Sequence, residues 1–369
     1  MLAGLAVLVG VLVAGCGGGG SKSSESESTG GAKKKVTLQL KWVTQAQFAG
    51  YYAAKTKGFY DEEGLDVNLN IGGPSITPEQ VVLGKQAEFG IDWLPSLLAS
   101  RDKGQNLVNI AQVFTRSGML ELAWKDSGVT SISQMRGKKV GVWCCGNENE
   151  LYAALNKNGM DPQKDVTIVN QPFTMDLFLN REVDAAAAMT YNELAQVLES
   201  KNPKTGKPYQ LSDLNVMSME DAGTGMLEDG IFVRGEWLDE DEANLDIAGR
   251  FLKATFEGWA YCRDNFDSCV QTVLDNGTAL GEGHQTWQMN EINALIWPAP
   301  GGIGIMQKDA FDRTAQIAQD FGVIKEAPDD GAYRTDLSEL AVQDLKEAGV
   351  DVNGADFQKA EVEVTAGGE

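Results

Sequence analysis

The sequence predicts an α/β protein of two lobes with a cleft between them, and three features predict it. The 369 residues, 43% hydrophobic and 23% charged, suffice for two or three domain-sized units. Two successive stretches alternate short apolar strands with amphipathic helices, the pattern of mostly parallel sheets covered by helices. A strand-like run at 226–238, MLEDGIFVRGEWL, follows the second stretch and is expected to return to the first lobe.

The first stretch opens with VTLQLKWV at 36–43, a strand by its period of two. QFAGYYAAKTKGFYDEEG reads as a helix ended by Gly58, and DVNLNI as the next strand. The helix PEQVVLGKQ leads to the strand AEFGID, closed by Trp93-Leu94-Pro95, and the helix SLLASRDKG precedes the strand LVNIAQVF. The second stretch repeats the theme with KKVGVW, VTIVNQ and DAAAAM as strands. ENELYAALNKNG, TMDLFLNREV and NELAQVLES are its helices. After the polar excursion KNPKTGKPYQLSD and the returning strand, EANLDIAGRFLKATFEGWAYCRD, SCVQTVLDNG and DAFDRTAQIAQDFG suit a helical layer on the first lobe. The first lobe is therefore expected to hold 33–118 and 225–361, and the second 119–224. Hinges are expected near 113–119 and 224–232. Residues beyond about Glu361 are polar or small and are expected to fray.

Before the folded part, residues 1–15 form an uncharged apolar run, short of the roughly 20 residues a spanning helix needs. A cleaved signal segment is expected there. Leu12-Val13-Ala14-Gly15-Cys16 resembles a bacterial lipobox, which implies lipidation of Cys16, although no Lys/Arg region precedes the apolar run. Residues 16–32 are then the lipidated cysteine and a flexible Gly/Ser/Glu tether.

Outside the cytoplasm the remaining cysteines face oxidation. In one unbroken helix, Cys262 and Cys269 would stand about 10 Å apart, too far for a bridge. Asn265 and Asp267 are stop and cap residues, and a turn there is expected to bring the two into a disulfide. Cys144 and Cys145 are adjacent, and their sequence leaves free thiols as open as a bond. The chain has one histidine, His284, in a Gly-rich segment and expected on the surface. No metal pattern, no Cys/His nucleophile and no cofactor follow from this set.

With 31 Lys plus Arg against 53 Asp plus Glu, the net charge is −22, a field that repels phosphate backbones and anionic headgroups and excludes nucleic-acid partners. In open α/β sheets ligands bind beyond the carboxyl ends of strands. That rule selects Trp42, Gln45, Gln47 and Phe48; Gly72-Gly73-Pro74; Asp92 and Trp93; Trp143 through Glu148; and Thr190 through Glu193. The candidate binding residues are Trp42, Gln45, Gln47, Phe48, Asp92, Trp93, Asn147, Glu148, Tyr191, Asn192 and Glu193. Core packing is an equal account of Phe48 and Tyr51, and helix capping competes for Asp92, Asn147 and Glu193. Lys41 is placed by strand alternation on the opposite face, and Arg116 at the first hinge. Stacking surfaces and acceptors without a cation suit a neutral or weakly basic heteroaromatic ring rather than an anion.

With these segments laid out, Lys41-Trp42 followed by QAQFAGYYAAKTKGFYDEEGLDV, GKQAEFGIDWLPSLLASRDKG, GKKVGVW and VDAAAAMTYNE are similar, in order and spacing, to a known family. Over roughly 36–320 the chain resembles the type II periplasmic solute-binding proteins of ABC importers, in the branch related to thiamine pyrimidine synthase. The resemblance implies an α/β, two-lobed type II periplasmic-binding-protein fold with a cleft between lobes. It also implies capture of a thiamine pyrimidine precursor or riboflavin for a membrane permease, by a monomer outside the cytoplasm. More distant relatives bind sulfonates, taurine or nitrate. The related synthase builds the pyrimidine from its own histidine and pyridoxal phosphate, and the matching positions differ here. Its Lys and His fall at Asp92 and Ser96, its phosphate loop at Cys145-Gly146-Asn147-Glu148-Asn149, and its Cys-rich segment at Asp221–Ile231, which has no Cys. The expectation is a lipid-anchored receptor and not an enzyme, with the synthase-like activity and the sulfonate or nitrate receptor as alternatives.

Overall fold

The computed structural model describes residues 32–277 and 279–368. The expected signal segment at 1–15, Cys16 and all but the last residue of the tether lie outside the described residues.

The first run is β1 (Lys34–Gln39), α1 (Ala49–Thr56), α2 (Phe59–Glu62), β2 (Leu65–Asn70), α3 (Pro78–Leu83), β3 (Phe89–Trp93), α4 (Leu94–Arg101) and β4 (Leu107–Gln112). A 3-10 turn, Ala46–Phe48, precedes α1, and Gly58, at φ 90°, separates α1 from α2 in a conformation glycine adopts without strain. The second run is β5 (Met119–Trp124), β6 (Lys139–Val142), α5 (Asn149–Lys157), β7 (Thr167–Asn170), α6 (Asp176–Leu179), β8 (Ala185–Met189), α7 (Glu193–Glu199), β9 (Leu214–Ser218) and α8 (Met219–Ala222). Then come β10 (Asp229–Arg234), α9 (Gly235–Glu240), α10 (Glu242–Asp264), α11 (Phe266–Asn276), α12 (Glu282–Ile296), α13 (Lys308–Asp320) and α14 (Asp336–Glu347).

These strands form two sheets of the same design, ordered β2-β1-β3-β10-β4 and β7-β6-β8-β5-β9. In the first, β1, β2 and β3 are parallel and β10 runs antiparallel between β3 and β4. In the second, β6, β7 and β8 are parallel and β5 runs antiparallel to β8 and β9. The returning strand at 226–238 is thus β10, inserted into the first sheet. The chain crosses between sheets at 113–118 and again at 219–228, so the second crossing begins ahead of the hinge expected at 224–232.

Trp259, Tyr51, Phe89, Phe251 and Phe256 fill the main core beneath the first sheet, where α10 lies against α1. That approach is close: a Cβ on Gly50 would stand 2.2 Å from the Trp259 ring, and one on Gly258 2.2 Å from the Gly50 carbonyl oxygen. Helix α10 stops at Asn265, and the turn into α11 brings the sulfurs of Cys262 and Cys269 together with their Cα atoms 5.1 Å apart. The end of the chain corrects the expectation of fraying. Val364 packs on the apolar cluster of the second lobe, Ala360 exchanges two hydrogen bonds with Asn290 of α12 (2.8 and 3.0 Å), and Gly368 is buried against α7 and α12. Among the described residues, no helix is long and apolar enough to cross a membrane.

Candidate ligand-binding site

Strand β1 ends at Gln39, and from there the chain is irregular up to the 3-10 turn. Residues 40–42 run beside Asn70–Gly73, with Leu40 N donating to Asn70 O (2.9 Å) and Gly72 N to Trp42 O (3.0 Å). The approach demands glycine, because a Cβ on Gly72 would lie 2.2 Å from the Leu40 carbonyl oxygen. Beyond the strand's end alternation no longer holds, and Lys41 and Trp42 both line the cavity between the lobes. This corrects the placement of Lys41 on the opposite face, and with it the cation-free description of the cleft. Lys41 Nζ donates to Asp92 Oδ1 and lies 4.6 Å from the centroid of the Trp93 ring.

The cavity is lined from the first lobe by Lys41, Trp42, Gln45, Gln47 and Trp93. The second lobe contributes Trp143, Asn147, Met189, Tyr191, Asn192 and Glu193. Trp42 and Trp143 meet edge to face across it, centroids 6.2 Å apart. The polar side chains are held in set orientations. Gln45 Nε2 donates to Gln47 Oε1 (2.7 Å), and Gln47 Nε2 (2.8 Å) and Trp93 Nε1 (3.0 Å) donate to the two oxygens of Asp229. Asn147 Nδ2 caps the Cys144 carbonyl (2.7 Å), and Glu193 receives Met189 N (3.0 Å) and Asn192 Nδ2 (2.7 Å). Helix α12 supports the turn carrying Gln45 and Gln47, because Gln285 and Gln288 both accept from Ala46 N (2.8 and 2.7 Å).

Eight of the eleven candidates therefore line one cavity, and three do not. Phe48 is fully buried in the core beside Tyr51, the packing role that competed for it. Asp92 stands behind Lys41, its Oδ1 also accepting from Trp93 N (2.6 Å). Glu148 turns back to accept from Gly146 N (2.9 Å) and faces a separate groove between the lobes, which it shares with Glu79, Ser96 and Tyr152. The candidate list omitted Lys41, Trp143, Met189 and Asp229. Trp143 was reachable by the strand-end rule. Asp229 begins β10, which is antiparallel, so its amino end lies at the same edge as the carboxyl ends of its neighbours. Arg116 stays out of the cavity, its guanidinium donating to the carbonyls of Ala294, Trp297 (3.0 Å) and Pro298 (3.3 Å).

Burial without full compensation raises several carboxyls. Asp229 is pushed up to about 6 against the pull of Lys41, and Glu193 to about 7 despite its backbone and amide donors. Burial also lifts the Tyr191 hydroxyl well above its ordinary value, so a neutral phenol faces the cavity. Behind the cavity, Ser117 Oγ in the first crossing bonds to Glu150 of α5 (2.8 Å) and Glu228 of the second crossing (2.9 Å), while Met119 N donates to it (3.1 Å). One hydroxyl hydrogen cannot serve two carboxylates, so one of these acids carries a proton. Burial pushes Glu150 up to about 8.

The loop leading to Asn147 holds the sulfurs of Cys144 and Cys145 in contact, with Cys145 at φ 70° and Gly146 at φ 103°. Ser96 Oγ of the first lobe donates to the Gly146 carbonyl across the cleft (3.2 Å). His284 is not a free surface residue. It lies in the first turn of α12, with Nδ1 2.8 Å from Glu199 Oε1 and Nε2 2.9 Å from Asn192 Oδ1. Among the described residues, no group of three or more His, Cys, Asp or Glu side chains is placed to hold a metal ion.

The architecture matches solved periplasmic binding proteins. The alkanesulfonate-binding protein SsuA of Xanthomonas axonopodis pv. citri superposes with a TM-score of 0.59 at 13% identity, over 82% of this chain and 97% of that one. Among curated proteins, the chain is 23% identical to the riboflavin-binding protein RibY of Chloroflexus aurantiacus, over 79% of this chain and 82% of RibY. It is 21% identical to the formylaminopyrimidine-binding protein of Halalkalibacterium halodurans, over 66% and 71%. A putative thiamine biosynthesis protein of Haemophilus influenzae is 26% identical over 46% of this chain, a match that spans 55% of that protein. The family model described as "NMT1/THI5 like" matches residues 45–268, more than half of the sequence, and the chain belongs to the NMT1/THI5-like family.

Proposed function

We propose that the protein is the extracytoplasmic solute-binding component of an ABC importer, lipid-anchored through Cys16 and working as a monomer. Its cargo is a neutral or weakly basic heteroaromatic vitamin precursor, an aminopyrimidine of the thiamine precursor class as the first reading and riboflavin as the second. The observation that carries the reading is a cavity between two lobes walled by Trp42, Trp93, Trp143 and Tyr191 and edged by the amides of Gln45, Gln47, Asn147 and Asn192, the Glu193 carboxyl and the Lys41 amine. Indole and phenol faces suit a flat π-system, each good aromatic pair adding about 0.5–1.5 kcal/mol beyond area burial. Glu193, Asn147 and Gln45 suit exocyclic amino and ring NH groups. The Lys41 charge is matched by Asp92, with Asp229 and Glu193 close by, so an oxyanion would enter an acidic surrounding.

A further reading, the pyrimidine-forming enzyme, is favoured by one observation: Lys41 brings an amine to the cavity wall. Its ion pair with Asp92 and its position over Trp93 fit a structural cation equally well.

Titration of the purified protein with 4-amino-5-hydroxymethyl-2-methylpyrimidine, riboflavin, an alkanesulfonate and nitrate, followed by Trp fluorescence, decides among these. Saturable quenching by the aminopyrimidine alone is expected. A response only to riboflavin would install the second cargo, a response only to the anions would sink the cargo assignment, and pyrimidine appearing after pyridoxal phosphate and iron are added would install the enzyme.

A further inference from the structure

Asp92 is the one charged residue of β3, a strand buried along its whole length, and it does not line the ligand cavity. A buried carboxylate needs partners. Asp92 Oδ1 has two, accepting from Lys41 Nζ and from Trp93 N (2.6 Å). Among the described residues that line the cavity, Lys41 is the sole Lys or Arg, so this ion pair decides what charge the wall shows to a cargo. The Trp93 ring, its centroid 4.6 Å from Nζ, holds the ammonium at the wall.

An ammonium carries three N–H donors and no acceptor. One goes to Asp92, and among the described residues Lys41 Nζ has no other hydrogen-bond partner. Two indole donors of the wall are already spent, Trp93 Nε1 on Asp229 (3.0 Å) and Trp143 Nε1 on the Pro172 carbonyl (3.2 Å). Lys41 therefore offers N–H groups to the cavity while its charge is matched from behind. Such a donor suits an uncharged acceptor, a ring nitrogen or a carbonyl, whereas an unmatched ammonium would suit an oxyanion. Glu79 of α3 is buried near Asp92, and burial together with the Asp92 charge raises it well above the usual carboxylate range. Glu79 thus stays protonated, and one carboxylate balances one ammonium.

We propose that Asp92 is a positioning residue that sets the charge class of the cargo: paired with it, Lys41 serves as a charge-balanced donor to a ring nitrogen or carbonyl, and the site is closed to anions. The inference rests on the solute-binding reading and deepens it by naming the acceptor group that the cargo must carry. Two further carboxyls stand near. Glu193 lines the wall and is raised by burial to about 7, so at pH 6 it is mostly protonated. Asp229, raised by burial to about 6, is taken up by Gln47 and Trp93. At pH 6, Lys41 and Asp92 are therefore the dominant charges at the wall.

Calorimetric titration with methanesulfonate at pH 6 tests the role of Asp92 without needing the cargo. The double variant Asp92→Asn/Glu79→Gln removes the balancing charge and the acid that could replace it, and its new amide oxygen can still accept from Trp93 N. It should bind methanesulfonate at least about tenfold more tightly than wild type, the scale of one hydrogen bond to a charged group. Asp92→Asn alone should show the same gain in smaller measure, so the test does not depend on the double variant folding. Adding Lys41→Met should abolish the gain. No gain in either variant, or a gain that survives Lys41→Met, overturns the proposal. Lys41→Met/Asp92→Asn, in which uncharged side chains replace the pair, should bind 4-amino-5-hydroxymethyl-2-methylpyrimidine about tenfold more weakly than wild type. Unchanged affinity there overturns the donor role of Lys41. A methanesulfonate gain that depends on Lys41, in a protein that binds no aminopyrimidine in any form, upholds the role of Asp92 and refutes that cargo instead.

Discussion

Glu150, fully buried and pushed up to about 8, keeps its proton in the folded protein where the unfolded chain has already lost it. Across the interval from the ordinary carboxylate value of about 4.5 to about 8 the native state binds more protons, so stability falls as pH rises and is fully present only below that interval. At about 1.36 kcal/mol per unit, the effect is on the order of a few kcal/mol, and Glu193 and Asp229 act in the same direction. Glu150→Gln keeps a polar partner for Ser117 but cannot ionise. Thermal melts should show wild type losing stability between pH 5 and pH 8.5 and the variant losing distinctly less; equal slopes would refute this account of the crossing. At the same scale, the legibility of the site depended on where a local rule stops. Trp42, Trp93, Tyr191 and Asn192 follow from the strand-end rule. Lys41 was misplaced because alternation was carried past Gln39, where the strand ends. His284 was misjudged because its partners, Asn192 and Glu199, lie some 90 positions away in sequence.

Among the elements, the joint of α1 with α10 is set by absent side chains. A methyl at Gly50 or Gly258 would overlap the Trp259 ring or the Gly50 carbonyl, and neither helix can retreat without opening the core under β1 and β3. Gly50→Ala and Gly258→Ala should each cost about 1–3 kcal/mol, read as a lower urea midpoint, even though alanine is the better helix former. An unchanged midpoint would mean that the helices shift freely. The parallel strands were legible because each is a short apolar run between helices. Strand β5 was not, because MLELAW is buried along its whole length, with Glu121 among its residues, and so does not alternate. Helix α12 escaped for the converse reason. Gln285, Gln288, Asn290 and Asn293 are buried among its apolar residues, which leaves no one-sided stripe to read.

For the whole molecule, the net charge of −22 acts as a solvated exterior around a cavity whose single lysine is neutralised from within. The proposed anchor belongs at this scale, because it decides where the molecule works. Cys16→Ala, expressed from a gene carrying residues 1–369, should move the protein from the membrane fraction to the soluble extracytoplasmic fraction. Retention in the membrane fraction would refute lipidation at that residue.

The carboxyl-terminal segment, which leaves α14 on the first lobe and settles with Val364 and Gly368 on the second, adds a third tie to the two crossings at 113–118 and 219–228. Two neighbouring ties act as a hinge pin; a third placed away from them acts as a latch. Wide opening then requires either that the irregular stretch from Gly354 to Thr365 straighten or that the turn at 366–368 peel off α7. Separation of the two lobes is thereby tied to a small local detachment at the chain's end as well as to bending at the two crossings.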